Sequence, residues 1–125
     1  MTQQASIIPI YTTRGDADGF LLYPYLFNQS GDWIGFVTAN REVYSVTGEY
    51  VGILTNDPRI VGKRAMRETK PRIDPPPAPN RVQPPNNIPL PPMMPDLSYS
   101  LIDILLDEPE KLHTLDNGKF LQDMD

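Results

Sequence analysis

The sequence predicts a mainly β protein: a small repeat domain of three to four β-hairpins with pseudo-symmetry, then an extended proline-rich segment and a short C-terminal amphipathic helix. Three observations carry this. A glycine-punctuated pattern recurs three times in the first half of the chain, eleven of the fifteen prolines fall between Pro71 and Pro95, and an apolar run after Pro95 returns at helical spacing. The corresponding divisions are residues 1–64 (hairpin repeats), 65–95 (a basic, then proline-rich linker) and 96–125 (an acidic helical tail).

The repeat reads aromatic-x-x-x-Gly-acid-x-x-Gly-apolar-apolar. Its first copy holds Tyr11, Gly15, Asp16 and Gly19, its second Phe27, Gly31, Asp32 and Gly35, and its third Tyr44, Gly48, Glu49 and Gly52. The copies start 16 and 17 residues apart. Each reads as a hairpin, with the aromatic on the incoming strand and turn formers such as Asn28, Gln29 and Ser30 ahead of the first glycine, which supplies positive φ without steric cost. The outgoing strands, Trp33 to Thr38 and Tyr50 to Thr55, are rich in β-branched and aromatic residues. The second glycine falls inside that strand, where glycine marks a bulge or the close approach of another backbone. One hairpin cannot bury its apolar face alone, so copies packed around a shared centre are expected. A fourth copy is due near residues 58–64. Only Arg59 to Lys63 stands there, without aromatic or turn, and it reads as a degenerate closing strand for which residues 7–10 are the expected partner.

Over residues 10 to about 63, this spacing resembles small bacterial proteins with a four-fold beta-flower domain. The resemblance implies a fold and no catalytic activity, so no functional residue carries over from it. The departure lies in the fourth petal, which lacks its aromatic and its turn.

The net charge of −5 is segregated. Residues 59–81 hold seven bases against two acids, and residues 96–125 hold two bases against eight acids. Arg59, Lys63, Arg64, Arg67, Lys70 and Arg72 form a candidate basic surface, either a solvated edge or a contact for an anionic membrane surface, with Thr69 among them as a phosphorylation candidate. Nucleic acid is not expected: the sequence pI is about 4.7, and no aromatic lies among these bases to stack on a nucleobase. Pro71 to Pro95 reads as polyproline II, able to span ~75 Å if straight. It serves as a spacer or as a ligand for an aromatic groove.

In the tail, Leu97, Leu101, Ile104 and Leu105 share one helical face, which Ile102 and Leu106 widen. A helix of about twelve residues is marginal in water without packing. With the spacer separating it from the hairpins, this face is expected to dock on another protein, as amphipathic anchor helices do; folding back is the alternative.

Catalytic and metal chemistry find little footing. The chain has no cysteine and a single histidine, His113. Asp16, Asp32 and Glu49 recur at one repeat position and could ring a cation, although turn residues facing water are the ordinary reading. No nucleophile–base pair, phosphate loop or dinucleotide fingerprint is present. The expectation is therefore a non-enzymatic linker or accessory subunit, without cofactor or metal, that joins protein surfaces in a larger complex through its β module and its extended arm. The alternative is a free-standing module for an anionic ligand or membrane. The opening residues lack a basic, apolar leader and no apolar run is long enough to span a bilayer, so a cytoplasmic location is expected, peripheral to a membrane at most. In layout, a compact N-terminal part, a basic stretch and a proline-rich arm, the chain resembles a small core linker of the cyanobacterial phycobilisome. That resemblance implies an arm on the antenna core, bases toward a photosystem and a thylakoid location.

Overall fold

The computed structural model describes residues 7–64 and 70–115. Eight strands form one antiparallel sheet in sequential order: β1 (Ile8–Tyr11), β2 (Ala17–Leu22), β3 (Tyr25–Asn28), β4 (Trp33–Val37), β5 (Glu42–Ser45), β6 (Tyr50–Leu54), β7 (Ile60–Lys63) and β8 (Leu101–Asp103). A one-turn helix, α1 (Ile104–Asp107), and a 3-10 turn (Pro109–Lys111) follow. The chain is thus mainly β with a short C-terminal helix, as the repeats predict.

The three recognisable repeats are the hairpins β1–β2, β3–β4 and β5–β6, and their turns are built alike. In the first, Thr12 N donates to Asp16 O and Gly15 N to Thr12 O; Asn28 with Asp32 and Gly31, and Ser45 with Glu49 and Gly48, repeat the pattern. Gly15, Gly31 and Gly48 have φ of 91°, 88° and 88°, and the register shifts beside each turn at Tyr11, Phe27 and Tyr44. This is a tight turn closed by a bulge whose left-handed position favours glycine.

The second glycine column explains how the hairpins meet. A methyl group on Gly19 would lie 3.0 Å from Phe27 O, and one on Gly35 2.5 Å from Tyr44 O. At Gly52 it would collide with Val61 O. Each glycine therefore abuts the carbonyl at the aromatic position of the next hairpin, and Val61 holds that position in the fourth. Close approach of neighbouring backbones, one of the two readings of a glycine within a strand, is what the structure contains.

The fourth hairpin is complete, although its halves are far apart in sequence. β7 pairs with β8 through Val61 with Asp103, Gly62 with Ile102 and Lys63 with Leu101, and Arg64 N donates to Ser100 O. The segment between Lys63 and Leu101 takes the place of the fourth turn. Two expectations are corrected here. The partner of Arg59 to Lys63 in the ladder is β8 rather than residues 7–10, although Tyr11 N donates to Pro58 O and brings β1 close. Residues 101–103 are strand and α1 spans only four residues, because pairing with β7 satisfies backbone groups that a lone helix turn would leave open.

The apolar face assigned to a partner is sheltered by the chain itself. Ile102, Ile104, Leu105 and Leu112 join Ile10, Leu21, Leu26, Ile34, Val37, Val43, Val51, Leu54 and Ile60 in one buried core. Leu97, Leu101 and Leu106 are half-buried. Glycines admit these side chains: Leu105 Cδ1 approaches Gly19, Leu112 Cδ2 approaches Gly35 and Ile104 Cδ1 approaches Gly62. Burial of one such side chain contributes about 1.5–3 kcal/mol, so the four together offset much of the cost of ordering the tail, about 1–2 kcal/mol per residue. The divisions 1–64, 65–95 and 96–125 therefore do not mark separate bodies: residues 101–112 complete the domain that residues 7–64 begin.

Candidate functional site

The most distinctive surface is the proline-rich segment, which forms a strap across the hairpin tips. Proline removes backbone donors and keeps the chain extended, so only a few points can be fastened. At the third tip Ile73 N donates to Gly48 O (3.1 Å), and at the second Val82 N donates to Gly31 O (3.0 Å). At the first tip Pro91, which has no N–H, packs against Gly15, and Tyr11 Oη donates to Pro89 O (2.7 Å). Tyr25 Oη donates to Pro77 O between the third and second tips (2.8 Å). Ile73, Val82 and Pro91 are nine residues apart and half-buried. Nine residues of polyproline II reach up to about 28 Å, so the strap advances one hairpin per nine residues.

The sequence holds the matching repeat, which the hairpin motif overshadowed: Arg72-Ile73-Asp74-Pro75-Pro76 returns nine residues later as Arg81-Val82-Gln83-Pro84-Pro85. The two arginines sit beside the tips. Arg81 donates to Asp32 Oδ1 (3.0 Å) and Ser30 O (2.6 Å), while Arg72 lies 3.6 Å from Asp74 in an exposed pair. In the third register the arginine is replaced by Leu90.

Both ends of the strap are pinned by polar groups. Lys70 pairs with Glu42 (3.0 Å) and lies over the Tyr50 ring. Tyr44 Oη donates to the same carboxylate, and burial together with that negative charge raises the Tyr44 pKa, against the opposing effect of Lys70. At the other end Arg59 Nη1 donates to Pro95 O (2.9 Å) and to Thr13 Oγ1 (3.0 Å), and its guanidinium pairs with Asp57. Asp103, also buried, accepts from Thr13 N (2.6 Å), Thr13 Oγ1 (2.8 Å) and Leu106 N (3.3 Å). Arg59 and Asp103 thus tie the first turn, the strap's exit and β8 together.

These positions redistribute the candidate basic surface. Arg59 is an interior residue only 3% exposed, and Lys70 is engaged with Glu42. Arg64 donates to Tyr99 O (2.7 Å) and stacks on that ring, so it fastens the fourth hairpin's mouth. Lys63 is exposed at the end of β7, and Arg72 is exposed on the strap. Arg67 and Thr69 lie outside the described residues. The described bases do not make one patch, because Arg59, Arg64 and Lys70 serve attachments within the chain.

Asp16, Asp32 and Glu49 stand at three separate hairpin tips. Asp32 meets Arg81 and Glu49 accepts from Thr47 Oγ1. Among the described residues no group of three His, Cys, Asp or Glu side chains could hold a metal ion. Asp18 has a raised pKa, first because of burial and then because of the Asp16 and Asp103 charges. His113 contacts Thr114 O through Nδ1. Among the described residues no helix is long and apolar enough to cross a membrane.

What the chain leaves outward is apolar over the strap's last third and just beyond its exit at Pro95. Leu90, Met93 and Tyr99 are 92%, 95% and 85% exposed, and Ile88 is partly exposed beside them. From the sequence, partner contact falls to the tail leucines and, through Pro89-Leu90-Pro91-Pro92 as a ligand for an aromatic groove, to Leu90; Met93 and Tyr99 carry no such expectation. The available signal was the strap repeat, in which a position that carries arginine twice carries leucine the third time. No family model matches the chain, and no curated protein or solved structure matches it.

Proposed function

We propose that the chain is a non-enzymatic accessory subunit that joins protein surfaces in a larger assembly, with the strapped hairpin domain acting as one body and the strap's last third as its contact face. The observation that supports this most is the exposure of Leu90, Met93 and Tyr99 on a backbone fastened from beneath. A prefastened apolar strip loses little conformational entropy when a partner covers it. Its three large side chains are the type that anchors interfaces, and each contributes about 1.5–3 kcal/mol on full burial.

The more specific form of this reading is a small linker of the phycobilisome core, in which the outward side of the strap would meet the antenna. It rests on the resemblance in layout. The test is to isolate antenna particles from the host's own cells and probe for this chain. A folded L90S/M93S/Y99S variant is then followed in the same fractionation. Retention of the native chain with loss of the variant supports the proposal. Equal retention of both removes the strap from the interface, and absence of the native chain from the particles ends the antenna reading. A search for partners by gentle purification of the tagged native and variant chains addresses the broader form.

A further inference from the structure

The strap serves the first and second hairpin tips unequally. Ile88 and Leu90 follow Pro79 and Arg81 by nine residues each, and the two pairs line matching grooves. At the second tip the groove holds Asp32, Trp33, Pro79 and Arg81; at the first it holds their counterparts Asp16, Ala17, Ile88 and Leu90. In the second groove Arg81 Nε donates to Asp32 Oδ1 (3.0 Å), Arg81 Nη2 to Ser30 O (2.6 Å) and Val82 N to Gly31 O (3.0 Å). The first tip has the matching acceptors, the Asp16 carboxylate and the Arg14 and Gly15 carbonyls, on a turn of the same geometry. There the strap offers neither donor, because Leu90 stands for Arg81 and Pro91 for Val82. Among the described residues no base forms an ion pair with Asp16, which is exposed. Without the arginine, and with Ala17 for Trp33, the first groove measures about 490 Å³ against about 280 Å³ for the second.

We propose that an arginine side chain of the partner protein fills the first groove, with its guanidinium on the Asp16 carboxylate and the Arg14 carbonyl and its stem against Leu90. This occupant rests on the strap's last third being the contact face, and it specifies what the partner brings there. Charge complementarity requires a cation. Leu90 lines the same groove as Asp16 and Asp18, so a surface that covers Leu90 takes those carboxylates out of water, and a charge buried without a counter-ion is strongly unfavourable. The Asp16 charge already raises the pKa of Asp18, second to burial. Geometry selects arginine over lysine. The second tip meets its two acceptors with two N–H groups fixed in one plane, which a single ammonium on a flexible stem does not reproduce. An arginine beside an apolar contact is also a common anchor of protein interfaces.

The probe is the blocked peptide acetyl-Arg-Leu-amide, titrated into the purified, isotope-labelled full chain and followed by amide chemical shifts, with its citrulline analogue as the uncharged control. Saturable shifts are expected at Asp16, Ala17 and Leu90, with binding about five-fold weaker for the citrulline peptide or in folded Asp16→Asn. Asp32 is expected to stay silent, since Arg81 already occupies it. Two further folded variants test the equivalence of the grooves. Leu90→Arg supplies the arginine that the strap lacks and is expected to abolish the shifts at Asp16, whereas Arg81→Ala is expected to create them at Asp32. Absence of saturable shifts at the first tip, equal affinity for the citrulline peptide or in Asp16→Asn, persistence of the shifts in Leu90→Arg, or a silent second tip in Arg81→Ala would each overturn the proposal. These titrations need no assembly, so their failure leaves the contact face standing; that face falls only if L90S/M93S/Y99S is retained like the native chain.

Discussion

Substituting alanine at the first glycine of each hairpin separates the strap's contribution from that of the turn. Gly15, Gly31 and Gly48 share nearly the same positive φ. Alanine in the left-handed region therefore costs about 1–2 kcal/mol at each. The three differ in what a methyl group meets. At Gly31 it would collide with Val82 O, and at Gly48 with Ile73 O, both backbone atoms of the strap that cannot step aside without releasing Val82 N or Ile73 N from its bond. At Gly15 it would meet only Pro91 Cγ at 3.4 Å, an ordinary contact. Loss of one strap hydrogen bond adds about 1 kcal/mol, and the exposed Arg81–Asp32 pair adds less than about 1 kcal/mol. Gly31→Ala is thus expected to destabilise by about 2–4 kcal/mol and Gly15→Ala by about 1–2 kcal/mol. Urea unfolding measures both, and limited trypsin digestion reports whether the bond after Arg81 becomes accessible in the first but not the second. Equal losses in the two variants, with Arg81 equally protected, would refute the placement of the strap on the tips.

Other perturbations probe the remaining ties. Asp103→Ala removes the acceptor shared by Thr13 N, Thr13 Oγ1 and Leu106 N, and chemical denaturation is expected to show a loss of about 2–4 kcal/mol. Ile104→Ala empties a core position that is 1% exposed; the expected cost is about 2–5 kcal/mol, and amide exchange at Gly62 and Ile102 should accelerate with it. The raised pKa of Asp18 means that the folded state holds this proton more tightly than the unfolded one. Its cost to stability is therefore absent below the ordinary aspartate value, appears as pH rises above it and is complete above the folded pKa. Asp18→Asn should consequently stabilise the protein at neutral pH, by less than about 1 kcal/mol given its partial solvent exposure, with the gain vanishing in unfolding measured near pH 3.

The hairpins were legible because their determinants are local. Turn residues, a left-handed glycine and a β-rich outgoing strand all lie within a dozen positions of Tyr11, Phe27 or Tyr44, and the second glycine foretold the backbone approach that Phe27 O, Tyr44 O and Val61 O supply. The fourth hairpin was hidden because its strands lie on either side of the strap, and pairing at that separation leaves no local mark. Residues 97–108 read as helix because Leu97, Leu101, Ile104 and Leu105 fit a helical face. A short apolar run also fits a strand, and only the ladder with β7 decides between them. The docking assigned to that run failed on an assumption about the linker. Polyproline II is stiff enough to hold a tail away from a domain, but Gly31, Gly48, Tyr11 and Tyr25 fasten it to the surface instead.

Small-angle scattering from the monomeric chain bears most directly on the claim that strap and tail close back on the hairpins. A compact body of this length has a radius of gyration of about 14 Å, and the folded-back arrangement predicts a value near that. A strap extended away from the domain, as the ~75 Å contour of its polyproline stretch permits, would give a radius well above about 20 Å and a long-tailed distance distribution, and would contradict it.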